Sequence, residues 1–354
     1  MSDTFSIHVT SFAFIARKDN IRFQVWKPWY RTQLRAAPVL CWLTSMSNAK
    51  KQHYVPQFYL REFVDPNTPS GQEPYVWVFS KDGKTKQRRA PKNILWETDL
   101  YTFDFEGAKQ YELEKTLSKI ESDFAEVVRK KIKLHRPLTH QEYETLCRFV
   151  ATMLQRTVRQ KDNQEGFYDQ VVAQIERLET HHGSSGSTSA KLRAQKKDIH
   201  KAGILGILNE IPGLLGQMSV AFLCTDGTSA RFISSDDPVT LFNPDLQWQR
   251  LYGPGLAQSG VELTMPVSPD IALCMTWSNL SGYIQIPRWR VEELNRFTRG
   301  HCYEHFIAHS PKKKFIWFSR FPLHDPFFIL MFLWRWIKTQ TKTLRTLNKH
   351  GPNR

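Results

Sequence analysis

Two apolar-rich stretches in the first third of the chain predict strands there. Residues 75–79 form a short apolar run, and residues 100–105 alternate between apolar and polar side chains. Asp82-Gly83 is a turn signal between them, and it predicts a hairpin that joins residues 75–79 to residues 85–87. The first third is therefore expected to be built from β-structure.

The middle of the chain has the three- and four-residue spacing of amphipathic helices. An apolar stripe from Leu113 predicts a helix that reaches about residue 134. Residues 139–142 (Thr-His-Gln-Glu) are a capping-box signal for a second helix, which runs to about residue 179 and allows a break. A further helix is predicted over residues 190–209, and it ends before Pro212.

The last third is rich in short apolar runs separated by turn residues, which predicts two more hairpins. In the first, residues 218–224 pair with residues 230–234 around Asp226-Gly227. In the second, residues 261–267 pair with residues 271–276 around a Ser-Pro-Asp turn.

A short helix over residues 290–297 and a strand over residues 305–308 complete the predicted elements. The order of strands, then helices, then strands indicates an α+β fold rather than regular βαβ winding. The expected architecture is a set of antiparallel β hairpins packed with a central group of long α-helices.

Charge and composition divide the chain further. The net charge is +15, of which residues 1–45 carry +4 and residues 327–354 carry +6, leaving only +5 for residues 46–326. We interpret residues 1–45 as a non-domain extension, with Met46 as a possible natural start and a genuine N-terminal extension as the alternative. Residues 46–326 are then a single α+β domain with a flexible loop near 181–190, and residues 327–354 are an apolar, then basic, tail.

Cysteine usage and hydropathy indicate a soluble, cytoplasmic protein. The five cysteines are scattered, odd in number and without the close spacing of zinc knuckles or redox dithiols. Charged residues interrupt the first thirty positions, unlike a secretory signal. The longest apolar run, residues 327–334, is far shorter than the roughly 20 residues that span a bilayer, so no transmembrane segment is expected.

The first candidate site motif begins at His53 and reads His-Tyr-Val-Pro-Gln-Phe-Tyr-Leu-Arg-Glu-Phe. A neutral imidazole can ligate a metal or act as a general base near neutral pH. Gln57 and Tyr59 of the same motif are candidate substrate-binding residues. The alternative is that His53 is a hydrogen-bonded residue of an aromatic segment that docks on the core.

The second candidate motif, residues 234–238, reads Ser-Ser-Asp-Asp-Pro and follows a predicted strand. We predict that Asp237 is catalytic, that Asp236 and Asp237 join His53 in holding a divalent metal ion, and that Ser235 binds substrate. The alternative is a turn in which Ser235 or Asp236 caps backbone amides before the proline.

A third set of candidates lies on the second long helix. Arg156 is a predicted catalytic residue, and Gln155 and Arg159 are predicted to bind substrate, because guanidinium and amide groups hold phosphates or carboxylates well. A solvated helix face is the alternative. The spacing of His301 and His305 is also a weak metal signal if both lie on one strand. The sequence lacks a phosphate-binding loop, a dinucleotide glycine fingerprint and a nucleophile elbow.

The motif that begins at His53 resembles the opening of a bacterial family called domain of unknown function 4238. Residues 232–239 (Phe-Ile-Ser-Ser-Asp-Asp-Pro-Val) are similar to its second signature, and residues 155–157 (Gln-Arg-Thr) to its middle segment. Residues 265–269 and 291–295 resemble its C-terminal part. The resemblance covers roughly residues 50–310 and implies no established activity.

Three hypotheses for function follow from these motifs. The first is a metal-dependent hydrolase of an anionic, phosphodiester substrate, in which His53, Asp237 and Arg156 converge. The second is a noncatalytic module that binds nucleic acid, another anionic ligand or a protein, using the aromatic motif and basic patches such as residues 312–314. In the third, both motifs are purely structural.

Overall fold

The computed structural model describes residues 51–105, 108–183, 186–225, 227, 230–244, 246 and 254–319, with the backbone of residues 5–9 and 12–16. The strands of these residues, in chain order, are β1 (Phe5–Val9), β2 (Phe12–Ala16), β3 (Lys51–His53), β4 (Val76–Ser80), β5 (Lys86–Arg89), β6 (Trp96–Thr98), β7 (Phe103–Phe105), β8 (Ala108–Gln110), β9 (Ser219–Thr225), β10 (Ser234–Ser235), β11 (Thr240–Phe242), β12 (Glu262–Pro266), β13 (Ile271–Thr276), β14 (Gly282–Ile286) and β15 (His305–Ala308). Their α-helices are α1 (Gln57–Arg61), α2 (Glu112–Lys130), α3 (His140–Gln155), α4 (Val158–His181), α5 (Ser187–Gln195), α6 (Ile199–Leu215) and α7 (Arg288–His301).

The largest sheet in this part of the chain has the order β11-β12-β13-β9-β14. Strands β12 and β13 form the predicted antiparallel hairpin, with Pro266 opposite Ala272. Strand β9 pairs antiparallel with β13 and parallel with β14. All six residues of β13 are buried, so this strand needs a hydrogen-bonded neighbour on both sides, and β9 supplies the second one.

The predicted hairpin between residues 218–224 and 230–234 is therefore wrong. Ala230 and Phe232 are buried, but the chain there passes on to a different sheet, in which Ser234 pairs with Ile307 of β15. A local turn signal at residue 227 does not decide the partner of β9, because the fully buried strand β13 needs β9 as its second hydrogen-bonded neighbour.

A four-stranded sheet with the order β10-β15-β4-β5 carries the second candidate motif. Strands β4 and β5 form the predicted hairpin, with Phe79 opposite Lys86. Gly83 has a φ of +70° in its turn, a conformation that glycine adopts without steric cost. The smaller sheets each have two strands: β1 with β2, β3 with β6, and β7 with β8.

The helices follow the predicted apolar stripes, with two differences at their ends. The predicted capping box starts α3, since the Thr139 side chain accepts from the Glu142 amide and Glu142 accepts from the Thr139 amide. Helix α5 already begins at Ser187, within the stretch predicted to be a flexible loop. Helix α6 continues through Pro212 to Leu215, because its packing on α3 outweighs the one backbone hydrogen bond that proline removes.

The five-stranded sheet has helices on both faces, as the alternation of its side chains requires. Phe222 and Leu273 point into a core shared with α1, α2, α3 and α6. Leu223 and Cys274, one position away in each strand, point into a second cluster that contains Val291 and Leu294 of α7. Antiparallel hairpins packed with long helices confirm the predicted α+β fold.

The predictions for the two ends of the chain fall largely outside the described residues. The hairpin of β1 and β2 lies within the predicted extension over residues 1–45, and the rest of that extension lies outside the described residues. The predicted tail over residues 327–354 also lies outside them. Among the described helices, none combines the length and the apolar character needed to cross a membrane.

Candidate functional site

The break between α3 and α4 is the centre of the candidate site. Arg156, the last residue before the break, is only 2% exposed. Its Nη1 donates to Glu121 Oε1 at 2.7 Å, its Nε donates to the Tyr101 hydroxyl at 3.2 Å and its Nη2 donates to the His53 backbone carbonyl. Burial lowers the pKa of Arg156. The neighbouring Tyr101 and Glu121 outweigh this effect and raise that pKa above its usual value, so the guanidinium stays charged. Arg156 thus ties α3 to α2 and β3.

His53 lines a cleft of about 470 Å³ together with Arg156. The Nδ1 atom lies 3.5 Å from Gln57 Nε2. Burial, and to a smaller extent the charge of Arg156, lowers the pKa of His53 below 6.5, while the backbone at Lys92 acts in the opposite direction. The imidazole is therefore neutral near pH 7 and able to accept a proton.

The cleft gathers three of the predicted site residues and two carboxylates. His53, Gln57 and Arg156 line it together with Glu114 and Glu121. The three donor nitrogens of Arg156 already serve protein groups. The predicted role of Arg156 in catalysis accordingly stays a prediction, and its contacts are those of a structural residue.

Asp236 uses both carboxylate oxygens to hold the backbone that leads into β15. Oδ1 accepts from the Tyr303 amide at 2.7 Å, and Oδ2 accepts from the amides of Glu304 and His305 at 2.7 and 2.8 Å. Burial raises the pKa of Asp236, and the three amides oppose that rise. Ser235 Oγ accepts from the Asp237 amide at 3.2 Å, which forms the turn that the alternative interpretation expected.

Asp237 instead faces two nitrogen groups from two other helices. Its Oδ2 lies 2.9 Å from Nε of Arg159, in the first turn of α4, and 3.1 Å from Nε2 of His301, the last residue of α7. Neither N–H points directly at Oδ2, so the buried oxygen has close partners without an aligned hydrogen bond. Arg159 also donates to the His301 backbone carbonyl, which fixes the two residues relative to each other.

The remaining predicted substrate residues lie inside the protein. The Tyr59 hydroxyl contacts Ser234 Oγ at 2.7 Å and donates to the Pro266 carbonyl at 2.6 Å, which joins α1 to the two larger sheets. Gln155 is 2% exposed, and its Nε2 has no hydrogen-bond partner among the described residues. Neither side chain is placed to meet a ligand from solvent.

The structure thus forms two groups that meet at the break between α3 and α4: His53, Gln57 and Arg156 on one side, Asp237 and Arg159 on the other. The described residues contain no group of three or more His, Cys, Asp or Glu side chains that could hold a metal ion. The proposed metal set of His53, Asp236 and Asp237 is not brought together, and the oxygens of Asp236 are bound to amides.

The sequence indicated His301 only as part of a weak metal signal with His305, and did not predict that it pairs with Asp237. The spacing of His301 and His305 suggested a shared strand face, but His301 ends a helix and His305 begins a strand. Each therefore faces a different aspartate: His305 Nδ1 lies 3.9 Å from Asp236 Oδ2. The pairing with Asp237 joins residues 64 positions apart, and no local pattern indicates it.

His200, near the same break, supplies a pH-dependent contribution to stability. It is 4% exposed, and burial, together with Lys161 and Lys201, lowers its pKa from 6.5 to about 4. Between these values the unfolded chain binds a proton that the folded chain does not, so stability falls as the pH falls from 6.5 to 4. We expect His200→Gln to reduce this fall by about 2 kcal/mol in urea titrations at pH 7 and pH 4. His140→Gln, at an exposed position, is the control; an equal reduction there would contradict the assignment.

The family that matches the chain is described as "Protein of unknown function (DUF4238)", and the match covers residues 51–313. The chain belongs to the DUF4238 family. This confirms the resemblance seen in the motifs. A search of curated proteins found no match, and a search of solved structures found none either.

The motifs singled out in the sequence of this DUF4238 protein meet at the break between α3 and α4. The first motif contributes the His53 carbonyl to Arg156, and the second contributes Asp237 to Arg159. Residues 155–157 of the middle segment lie between them. These two motifs, more than 180 positions apart, are therefore joined at the break that residues 156–159 span.

Proposed function

We propose that this DUF4238 protein is a hydrolase of an anionic, phosphodiester-type substrate, in which Asp237 and His301 form the acid–base pair and Arg159 binds the anionic group. The observation that carries the proposal is the buried Asp237 carboxylate, whose Oδ2 lies 3.1 Å from the imidazole of His301 and 2.9 Å from the guanidinium of Arg159. A reducing, cytoplasmic compartment is part of the proposal, since the four described cysteines are free thiols.

The pair has the arrangement of a general base with its orienting carboxylate. Asp237 is 3% exposed in its side chain, whereas His301 is 32% exposed and reaches solvent. With Nε2 beside the Asp237 carboxylate, the other ring nitrogen, Nδ1, takes a proton from a water molecule, and the carboxylate stabilises the imidazolium that forms. Off-line hydrogen bonds of this kind are common without substrate and tighten when it binds.

Arg159 gives the site its preference for an anion. Its side chain is 24% exposed, and its Nη1 makes no hydrogen bond among the described residues. A guanidinium held on one side by Asp237 can offer its outer N–H groups to a phosphate oxygen, where they also stabilise charge that builds up in the transition state. Tyr303, whose ring lies under the Arg159 guanidinium, limits its movement.

The test is hydrolysis of bis(p-nitrophenyl) phosphate by the full chain, with p-nitrophenyl acetate as a neutral comparison substrate. We expect His301→Gln and Asp237→Asn each to lower kcat for the phosphodiester by about a hundredfold or more. The double variant should lose little more than either single variant, because the two residues act as a unit. Thermal melts of each variant confirm that it is folded.

His305→Gln is the matched control, because this histidine lies four residues away and faces Asp236 rather than Asp237. We expect its kcat to stay within about twofold of the unchanged chain. Equal losses in His301→Gln and His305→Gln, or no hydrolysis by the unchanged chain, would overturn the acid–base assignment. The assay is run in EDTA and in Mg²⁺; activity that depends on Mg²⁺ would favour the metal-dependent form of the hypothesis instead.

A further inference from the structure

A second cleft, of about 760 Å³, lies between the five-stranded sheet and the turn that follows α2. It shares no lining residue with the cleft at His53 and contains neither Asp237 nor His301. Cys224, from the end of β9, and His135, from the turn after α2, line it together. Their chemistry is not used by the hydrolase proposal.

The two side chains are in direct contact. Cys224 Sγ lies 3.8 Å from His135 Nε2, which is within the range of a hydrogen bond to sulfur. Cys224 is 4% exposed, so its sulfur is at the cleft wall rather than on an open surface. The thiol also donates to the Phe222 carbonyl at 3.5 Å, and of these two neighbours the imidazole is the one that can act as a base.

The position of the imidazole is set by its surroundings. His135 has a φ of +52°, the left-handed conformation that ends the turn after α2. Its ring stacks on Tyr283 with centroids 4.7 Å apart and an angle of 14° between the planes. The Tyr283 hydroxyl donates to the Arg136 carbonyl at 2.9 Å, so the tyrosine is itself held in place. The stacked ring directs Nε2 at the sulfur.

The surroundings also explain why the imidazole is needed. Burial raises the pKa of Cys224, and the charge of Asp270 adds to this effect, while the backbone amide of Ile284 lowers it. The resting group is a thiol rather than a thiolate. A thiol in this position reacts only if a neighbouring base removes its proton, and His135 is that base.

We propose that Cys224 and His135 form a thiol-modification site that exchanges with small disulfides. The S–H proton passes to His135 Nε2 as Cys224 Sγ attacks one sulfur of the disulfide. A new S–S bond forms, the S–S bond of the reagent breaks, and the leaving thiolate takes the proton from the His135 imidazolium. Cys224 is thereby oxidised to the mixed disulfide, and one half of the reagent leaves as a reduced thiol.

The other described cysteines lack this arrangement, which makes the proposal selective. Cys147, Cys274 and Cys302 are buried and free. Burial raises the pKa of Cys274 and of Cys302 to about 12, and that of Cys147 to about 11. None of the three has a described hydrogen bond to histidine.

The test is treatment of the full, folded chain with oxidised glutathione, followed by peptide mapping by mass spectrometry over time. We expect Cys224 to form the mixed disulfide at least about tenfold faster than Cys147, Cys274 or Cys302. His135→Asn should slow modification of Cys224 by about tenfold, and asparagine is chosen because it tolerates the left-handed conformation.

His140→Gln, on the exposed start of α3, is the control and should leave the Cys224 rate unchanged. The proposal is overturned if Cys224 reacts no faster than Cys147, Cys274 and Cys302. It is also overturned if Cys224 is modified at the original rate in a His135→Asn variant whose thermal stability is unchanged. Its outcome is independent of the hydrolase assay, because phosphodiester hydrolysis by Asp237 and His301 does not involve this cleft.

Discussion

Replacing Arg156 with methionine should lower the free energy of unfolding by about 3–5 kcal/mol, because it breaks a buried ion pair and leaves its partners behind. Glu121 would lose its Nη1 partner, and both the Tyr101 hydroxyl and the His53 carbonyl would lose a donor. Methionine keeps much of the apolar volume, so the loss reports the missing hydrogen bonds rather than a cavity. Chemical denaturation with urea measures the change.

Arg148→Met is the matched control for this prediction. Arg148 lies two turns earlier on α3 and is exposed, so its replacement should change stability by no more than about 0.5 kcal/mol. A loss below about 1 kcal/mol in Arg156→Met would show that the buried contacts contribute little, and would favour the catalytic role predicted for Arg156.

Asp236→Ala is expected to cost about 3 kcal/mol or more, because three backbone amides lose one shared acceptor. These amides belong to residues 303–305, so the loss should loosen the start of β15 and its pairing with β10 and β4. Hydrogen exchange should therefore speed up at residues 303–308 before it changes in α2 or α3. Thermal and urea denaturation give the size of the effect.

Asp123→Ala, at an exposed position on α2 that pairs with Lys119, serves as the comparison and should be nearly neutral. The Asp236 variant should keep its phosphodiesterase activity per folded molecule. Loss of activity without loss of stability would contradict the structural role and indicate that Asp236 belongs to the chemistry.

Helix starts and tight turns could be predicted because the residues that determine them are neighbours in the sequence. The capping box at Thr139 and the turn at Gly83 each lie within the element they start or close, and both predictions are confirmed. The partner of β9 was not predictable in this way. It depends on β13, about fifty residues later, and on the burial of both faces of that strand.

For the candidate site, too, single residues could be predicted from the sequence but their partners could not. The motifs identified His53 and Asp237 as residues of interest because each lies close to a proline, and Arg156 because a helical guanidinium can hold an anion. Their partners could not be read from the sequence, since Arg156 binds the backbone of His53 rather than its ring, and Asp237 binds His301. Such contacts depend on how the helices pack against the sheets. Residue type and spacing within one motif do not determine that packing.

The strand order of the large sheet has a consequence for synthesis of the chain. Strand β9 leaves the ribosome well before its neighbours β13 and β14, so its apolar residues wait without partners while about sixty further residues are translated. During that interval an unpaired edge is open to association with other chains. Expression at a lower temperature, or together with added chaperones, should therefore raise the soluble yield of the protein more than substitutions on its surface would.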